Sequence, residues 1–388
     1  MKVLLAQNMP HAPAYGGANR SNRVMLEQLA ASGHECLVVA PLLVSEDELR
    51  AHLVRHGAGD VAEDGHALTY RLRGVSVRAV TAGPRLVREV LQVAARFRPD
   101  WILVPSDDPG ALMLGAAVTA APTRVVYLAH TLQQLPFGPR AFFPSKASTR
   151  LVRRTAGIVS VSRAAQAYLA RWGGMRSELI HPAVYGRGPF PVLGGEAITL
   201  VNACAYKGID VFLGLADAFA DVPFLAVASW GTGPEDLRRL RRRPNVTVIG
   251  AVDDITEVLR RCRVLLVPSL WDETFGYTAV EALLHGVPVL AGDVGGLPEA
   301  MLGQPHVLPV RPIERYEGGT VHPVAVVPEQ DLGPWRETLS RLLSDEAYAQ
   351  QVREASRRAA AAFVSGLDEG MLERYLRTLA PAPGRERL

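Results

Sequence analysis

Val264-Leu-Leu-Val-Pro-Ser-Leu-Trp-Asp-Glu-Thr-Phe-Gly-Tyr-Thr-Ala-Val-Glu-Ala-Leu-Leu-His-Gly-Val-Pro-Val-Leu-Ala-Gly292 is the most informative run in this chain. It starts as a short apolar strand, crosses a loop holding two acidic residues and a glycine, turns into an Ala/Leu/Val helix and returns to a second apolar strand. Such a β-loop-α-β unit places its polar groups at the strand's carboxyl end. Glu273 lies in the loop and Glu281 about a turn inside the helix, so both can point toward the helix N-terminus. A helix N-terminus attracts phosphate through its unbonded N–H groups and the positive end of its dipole. Carboxylates do not coat a phosphate, so these two suit hydroxyls on a molecule that also carries one. A sugar nucleotide fits that description.

With 388 residues the chain is long enough for two or three domains at about 100 to 200 residues each. Its 48% hydrophobic and 21% charged composition is that of a globular protein with ample core. A net charge of +3 gives no support to a nucleic-acid binder. The arginine runs within 150–154 and 238–243 read as solvated helix faces. Cys36, Cys204 and Cys262 are odd in number and widely spaced, which fits neither a disulfide framework nor a zinc site and suits a reducing cytoplasm. The apolar run at Met1-Lys-Val-Leu-Leu-Ala is too short for a signal peptide, and no stretch reaches the roughly 20 residues that span a bilayer. The chain is expected to be soluble and cytoplasmic.

Toward the N-terminus a second β-loop-α-β unit is expected. Lys2 to Gln7 reads as a strand, the Pro/Gly segment through Gly16-Gly17 as a loop, Ser21 to Ser32 as a helix and Glu35 to Pro41 as a strand. Parallel sheets of this kind bind ligands outside the strands' carboxyl ends. The dinucleotide fingerprint G-x-G-x-x-G is absent, which counts against a nicotinamide enzyme. A helix over Glu46 to His56, a hairpin around Leu68 to Val77 and helices over Pro84 to Phe97 and Gly110 to Ala120 come next, then a strand ending at His130. The helix from Pro84 carries Arg85, Arg88, Arg96 and Arg98 around an apolar stripe. It reads as a docked helix with a wet face, with weak peripheral membrane contact as the alternative.

The Gly/Pro-dense segment 181–195 is read as a hinge between a domain over 1–180 and another over 196–365, with a helix at about 366–380 packing back on the first. The last eight residues are expected to fray. The predicted class is α/β: two Rossmann-like, doubly wound domains facing across a cleft, the first for an acceptor and the second for a donor.

The loop positions of both halves resemble the retaining glycosyltransferases of family 4, which have the GT-B fold. Glu273 to Glu281 matches that family's E-x7-E motif, Gly295-Gly296-Leu-Pro-Glu299 the motif after it, and Gly16-Gly17-Ala-Asn-Arg its glycine loop. The resemblance implies that Glu273 and the backbone of Phe275 and Gly276 hold the donor sugar, the Tyr277 and Thr278 amides its phosphates and Glu281 the ribose. It places Lys207 on the diphosphate, His130 near the donor sugar, and Gly231 and Val252 in nucleobase loops. Gly16, Gly17 and Asn19 fall to the acceptor, with Gly17 and Arg20 also near the donor phosphates. His130, Lys207 and Glu273 are thus the candidate catalytic set.

One position departs from the pattern. The arginine usual about five residues before the lysine is missing, and Asn202 stands nearby. Charge on the leaving diphosphate then rests on Lys207, the helix N-terminus and Arg20 or Asn202. Asp107-Asp108 lacks the further ligands of a metal site, and no metal or cofactor is expected, the donor being a UDP-sugar in preference to a GDP-sugar. The expected activity is that of a bacterial, hexosyltransferase-like retaining enzyme acting on a hydroxyl or amine of a small molecule or glycan. A sugar-nucleotide epimerase of the same fold and a catalytically silent sugar-nucleotide-binding subunit are the alternatives. Oligomeric state is left open.

Overall fold

The computed structural model describes residues 1–14, 16–318 and 324–379. The last eight residues, expected to fray, lie outside the described residues. Two compact units divide the chain, Met1–Val184 with Leu367–Leu388, and Tyr185–Gly366.

In the first unit β1 (Lys2–Ala6), α1 (Gly16–Ala31) and β2 (Glu35–Pro41) open a parallel sheet. After α2 (Glu46–Arg55), β3 (Val61–Asp64), β4 (Ala67–Leu72) and β5 (Val75–Val80) add an antiparallel hairpin and a strand that rejoins β2 in parallel. The chain continues through α3 (Leu86–Phe97), β6 (Trp101–Pro105), α4 (Leu112–Ala120), β7 (Val125–Ala129), α5 (Lys146–Arg153), β8 (Gly157–Ser160), α6 (Arg163–Tyr168) and β9 (Glu178–Leu179). The strand order is β3-β4-β5-β2-β1-β6-β7-β8-β9. Alternate residues of the central strands enter opposite cores: Leu4, Ile102 and Val125 on one face, Val3, Leu103 and Val126 on the other. Both faces are covered by helices, so these strands are apolar throughout instead of alternating.

The second unit repeats the plan with β10 (Ala197–Val201), α7 (Ile209–Ala218), β11 (Phe224–Val227), α8 (Pro234–Arg241), β12 (Val246–Ile249), α9 (Ile255–Leu259), β13 (Cys262–Val267), α10 (Tyr277–Leu284) and β14 (Val289–Gly292). A short α11 (Leu297–Ala300) and β15 (Val307–Leu308) complete a parallel sheet ordered β12-β11-β10-β13-β14-β15. A small antiparallel ribbon, β16 (Tyr316–Glu317) with β17 (Val324–Ala325), precedes α12 (Gly333–Ser344) and α13 (Glu346–Ser365). The last helix, α14 (Met371–Thr378), belongs to the first unit: Leu372 and Leu376 enter its core, and the Tyr375 hydroxyl lies 3.4 Å from the Ile158 carbonyl oxygen.

Several helices start where a short polar side chain accepts from an N–H of the first turn, as Ser45 does from Glu48, Ser162 from Ala165 and Asp345 from Tyr348. Three boundaries differ from the sequence reading. α1 begins at Gly16 instead of Ser21, so Gly16, Gly17, Asn19 and Arg20 lie in its first turns and not in a loop. Two glycines are poor helix formers by propensity, and Gly16 at φ 77° turns the chain into a helix that tertiary packing sustains. The helix expected from Gly110 starts at Leu112, because Gly110 and Ala111 both have positive φ. The segment from Pro84 opens as a 3₁₀ turn before α3.

Within 181–195 the chain changes unit between Val184 and Tyr185, and the stretch from Pro191 to Gly195 is bonded to the second unit. Leu193 N donates to the His285 carbonyl at 2.9 Å, Gly195 N to that of Cys262 at 3.0 Å, and His285 Nδ1 lies 2.7 Å from the Pro191 oxygen.

Candidate active site

In the second unit the chain leaves β10 toward one side of the sheet and β13 toward the other, so the topological switch point lies between these two strands. Lys207 ends the 3₁₀ turn after β10, and Glu273 lies in the loop after β13. Their side chains meet there as an ion pair in which both partners are largely buried. Ser269 Oγ donates to Glu273 Oε1 at 2.6 Å and Trp271 Nε1 at 3.0 Å, while Lys207 Nζ binds the same oxygen and lies 5.0 Å from the Trp271 ring centroid. Burial would raise the Glu273 carboxyl, but the Lys207 charge and the bonds from Lys207, Ser269 and Trp271 outweigh it and hold the group below the usual carboxylate range. Glu273 is therefore an ionised acceptor and not an acid. These bonds all end on Oε1, and none of them uses Oε2.

The Glu273 loop is held from behind by Gly295-Gly296. A Cβ at Gly295 would stand 2.3 Å from the Glu273 carbonyl oxygen, and one at Gly296 2.3 Å from that of Thr274. Gly296 N donates to the Glu273 oxygen at 2.7 Å. Phe275 is buried against Tyr277 and Phe363. Gly276 caps α10, so the N–H groups of Gly276, Tyr277 and Thr278 open that helix at the positive end of its dipole. Glu281, only 6% exposed, projects from its second turn.

Gly231 and Val252 follow β11 and β12 at the same edge of the sheet. Gly231 N donates to Asn202 Oδ1 at 3.0 Å. Asn202 is buried with φ 61°, and its Nδ2 has no partner among the described residues. In place of a cation, this position carries an amide that organises the Gly231 loop.

In the first unit the switch point lies between β1 and β6. His130 follows β7 and is 4% exposed, with Nε2 at 2.7 Å from Asn22 Oδ1 on α1. Asn22 Nδ2 donates to Gln7 Oε1 at 3.2 Å, and Gln7 Nε2 to the Met9 carbonyl at 2.8 Å. With the amide so oriented, the His130 proton sits on Nε2, and Nδ1, buried without a partner among the described residues, is an acceptor. Burial lowers the His130 pKa to about 4, so the ring is neutral at pH 7. Ser106 Oγ accepts from both His130 N and Thr131 N at 3.0 Å. Asn19 is buried in α1, and Arg20 Nη2 donates to the Val184 carbonyl at 2.7 Å.

Asp107 and Asp108 have structural partners. Thr131 Oγ1 donates to Asp107 at 2.7 Å, and the Leu112 and Leu114 amides to Asp108 at 3.1 and 3.0 Å. Among the described residues no group of three or more His, Cys, Asp or Glu could hold a metal ion, and no helix is long and apolar enough to cross a membrane. The sequence reading missed Ser269, Trp271, Asn22 and Gln7. The first two lie inside the strand-loop-helix motif of Val264 to Gly292, but the other two carried no local signal.

Residues 15–185 match the family described as Glycosyltransferase Family 4, and residues 197–345 that described as Glycosyl transferases group 1. The chain is 39% identical over 97 residues to an uncharacterised 41.2 kDa protein of the cps region of Klebsiella pneumoniae, a match covering 24% of this chain and 26% of the relative. It is 26% identical over 247 residues to the sulfoquinovosyl transferase SQD2 of Arabidopsis thaliana, covering 57% of this chain and 47% of the relative. The chain thus spans between a quarter and half of these curated relatives. The crystal structure of HepE from Anabaena, in complex with UDP and glucose, superposes with a TM-score of 0.66 at 17% identity over 98% of this chain and 100% of that one. The first α/β unit thus matches the family described as Glycosyltransferase Family 4 and the second that described as Glycosyl transferases group 1, and the chain has the GT-B fold.

Proposed function

We propose that the protein is a retaining glycosyltransferase that moves a sugar from a nucleoside diphosphate sugar, UDP-linked in preference to GDP-linked, to an acceptor hydroxyl or amine. The observation that carries this reading is the Lys207–Glu273 pair at the switch point of the second sheet. An ammonium suited to a leaving diphosphate stands there beside an ionised carboxylate suited to sugar hydroxyls. HepE, a fold neighbour, was solved with UDP and glucose, which supports a UDP-sugar.

In this scheme the α10 N-terminus and Lys207 stabilise negative charge as the glycosidic C–O bond breaks and the diphosphate departs with the electron pair. The acceptor oxygen or nitrogen attacks from the same face and passes its proton to the departing phosphate oxygen. Glu273 Oε2 holds a sugar hydroxyl and Glu281 the ribose. His130 Nδ1 accepts a substrate hydroxyl hydrogen. No protein carboxylate acts as nucleophile, and no metal or cofactor is required. The enzyme is placed in the bacterial cytoplasm, acting on a natural product or a cell-surface glycan.

A thermal-shift panel of nucleotide sugars tests the reading. The cognate donor at a hundred times its dissociation constant adds about 2.7 kcal/mol of stability. A panel of UDP-, GDP-, ADP- and dTDP-sugars that leaves the melting temperature unmoved overturns it. Anomeric configuration of the product, read by NMR, tests retention. Product formation by the isolated chain separates transfer from binding alone.

A further inference from the structure

At the carboxyl end of the second sheet four aromatic rings follow one another: Trp230 after β11, Trp271 after β13, Tyr206 after β10 and Tyr316 on β16. Ring centroids are 5.9 Å apart for Trp230 and Trp271, 5.3 Å for Trp271 and Tyr206, and 6.4 Å for Tyr206 and Tyr316. Lys207 Nζ, 5.0 Å from the Trp271 centroid, sets the middle of the run beside the ion pair with Glu273. None of the four rings is buried, and Trp230 is 56% exposed. Large aromatic side chains gain most from leaving water, so a contiguous run left partly in it marks a contact surface.

Bonds among its loops hold the run in shape. Trp230 sits in a turn closed by Thr232 N on the Ser229 carbonyl at 2.9 Å, by Ser229 N on Thr232 Oγ1 at 3.1 Å and by Gly231 N on Asn202 Oδ1. Leu270 N donates to the Tyr206 carbonyl at 2.9 Å and Ile313 N to that of Leu270 at 2.7 Å, which ties the turns after β10 and β13 to the segment leading into β16. The Gln330 side chain bonds the N–H and the carbonyl of Arg311, each at 2.9 Å, and closes the excursion that carries Tyr316. Rings fixed before a ligand arrives lose little freedom on binding it.

The chemistry of the run narrows the occupant. Aromatic faces carry the negative part of the ring quadrupole and attract polarised C–H bonds. A pyranose ring presents such bonds on its faces while its hydroxyls stand around its edge. Charged side chains beside the run pair with one another, Lys207 with Glu273, Arg315 with Glu317 at 3.1 Å, and Arg238 of α8 with Glu235. Neither a polyanion nor a polycation finds a cluster of counter-charges there. A nucleobase would cover one ring, whereas four rings in succession suit an elongated ligand.

We propose that this run is a glycan-binding strip that takes a neutral oligosaccharide of several pyranose units and holds it beside the Lys207–Glu273 pair. As the molecule on which transfer acts, the strip selects a polymeric glycan over a small natural product, a choice that rests on the glycosyltransferase reading above.

The test follows binding of maltohexaose, cellohexaose, laminarihexaose and chitohexaose to the full chain by calorimetry and tryptophan fluorescence, with the matching monosaccharides and a heparin hexasaccharide as controls. The expected result is that at least one neutral hexasaccharide binds, with its monosaccharide about tenfold weaker or worse. Trp230→Ala and Tyr316→Ala should each weaken that hexasaccharide about tenfold, while Trp230→Phe and Tyr316→Phe, which keep a ring, bind it nearly as the wild type does. No binding of any of the four, a monosaccharide bound as tightly as its hexamer, alanine variants that bind unchanged, or heparin bound as tightly as the neutral chains would each overturn the proposal. Displacement of the hexasaccharide by UDP would put the run inside the nucleotide site and overturn it too. UDP-sugar thermal shifts run alongside separate the two readings. A chain that binds the hexasaccharide as described but no nucleotide sugar keeps the strip and loses the glycosyltransferase assignment, and the reverse pattern loses the strip alone.

Discussion

Replacing Lys207 with methionine keeps most of the side-chain volume and removes the ammonium from Glu273 Oε1. Lys207 and Glu273 are 19% and 13% exposed, so the pair is poorly screened by solvent. Deleting one member of a fully buried pair costs about 3 to 5 kcal/mol. Ser269 and Trp271 remain bonded to the carboxylate, which brings the expected loss to about 2 to 3 kcal/mol. Glu273→Gln on the Lys207→Met background removes the stranded charge and should recover more than half of it. The cycle is measured by urea unfolding followed through tryptophan fluorescence.

The pH dependence supplies a second, sign-sensitive readout. In the wild type Glu273 is depressed below its ordinary 4.5. A depressed carboxyl adds stability above its unfolded pKa and loses it as pH falls through its folded pKa. Without Lys207 the carboxyl loses the two largest influences that oppose burial, so its folded pKa rises relative to wild type. The variant should then gain stability relative to wild type as pH falls from 7 toward 4. Equal pH slopes in the two proteins, or a loss under about 0.5 kcal/mol, would refute the pairing. Turnover of the same variant should drop by about a hundredfold or more if the ammonium meets the leaving diphosphate.

Three further outcomes are expected. Gly295→Ala pushes a Cβ to within 2.3 Å of the Glu273 carbonyl oxygen at a φ of 59°. It should cost about 3 kcal/mol and weaken donor binding through the displaced loop, as melting and calorimetry would show; a neutral substitution would mean that the two loops do not touch. His130, neutral in the fold down to about pH 4 but titrating at 6.5 when unfolded, binds protons preferentially in the unfolded chain across that window. Stability should therefore fall by about 3 kcal/mol between pH 7 and pH 4 from this group alone, and His130→Gln, lacking that slope, is the comparison; an unchanged slope would contradict its burial. Glu281→Ala should weaken UDP binding by about 1.4 kcal/mol or more, a factor of ten in calorimetry, and unchanged affinity would remove the ribose assignment.

Much of this site is local and therefore legible in one sequence. Glu273, Phe275 to Thr278 and Glu281 lie within a single strand-loop-helix unit whose apolar runs and loop glycine announce it. Lys207 follows another strand in the same way. What local pattern determined was the alternation of strands and helices, hence two parallel α/β sheets, and the loops at their carboxyl ends where polar groups gather. It misjudged the start of α1, because two glycines weaken helix propensity and only packing on the sheet keeps the turn helical.

Tertiary structure alone decided which polar groups meet. The Lys207–Glu273 pair joins residues in the turns that follow two different strands, brought together because β10 and β13 are neighbours in the sheet while far apart in the chain. The protonation of His130 depends on Asn22 and Gln7, each on a different element, and its low pKa on burial that no spacing encodes. Periodicity reports which face of an element is apolar. Partner, tautomer and charge state depend on long-range contacts and desolvation, and these exist only once the sheets have formed.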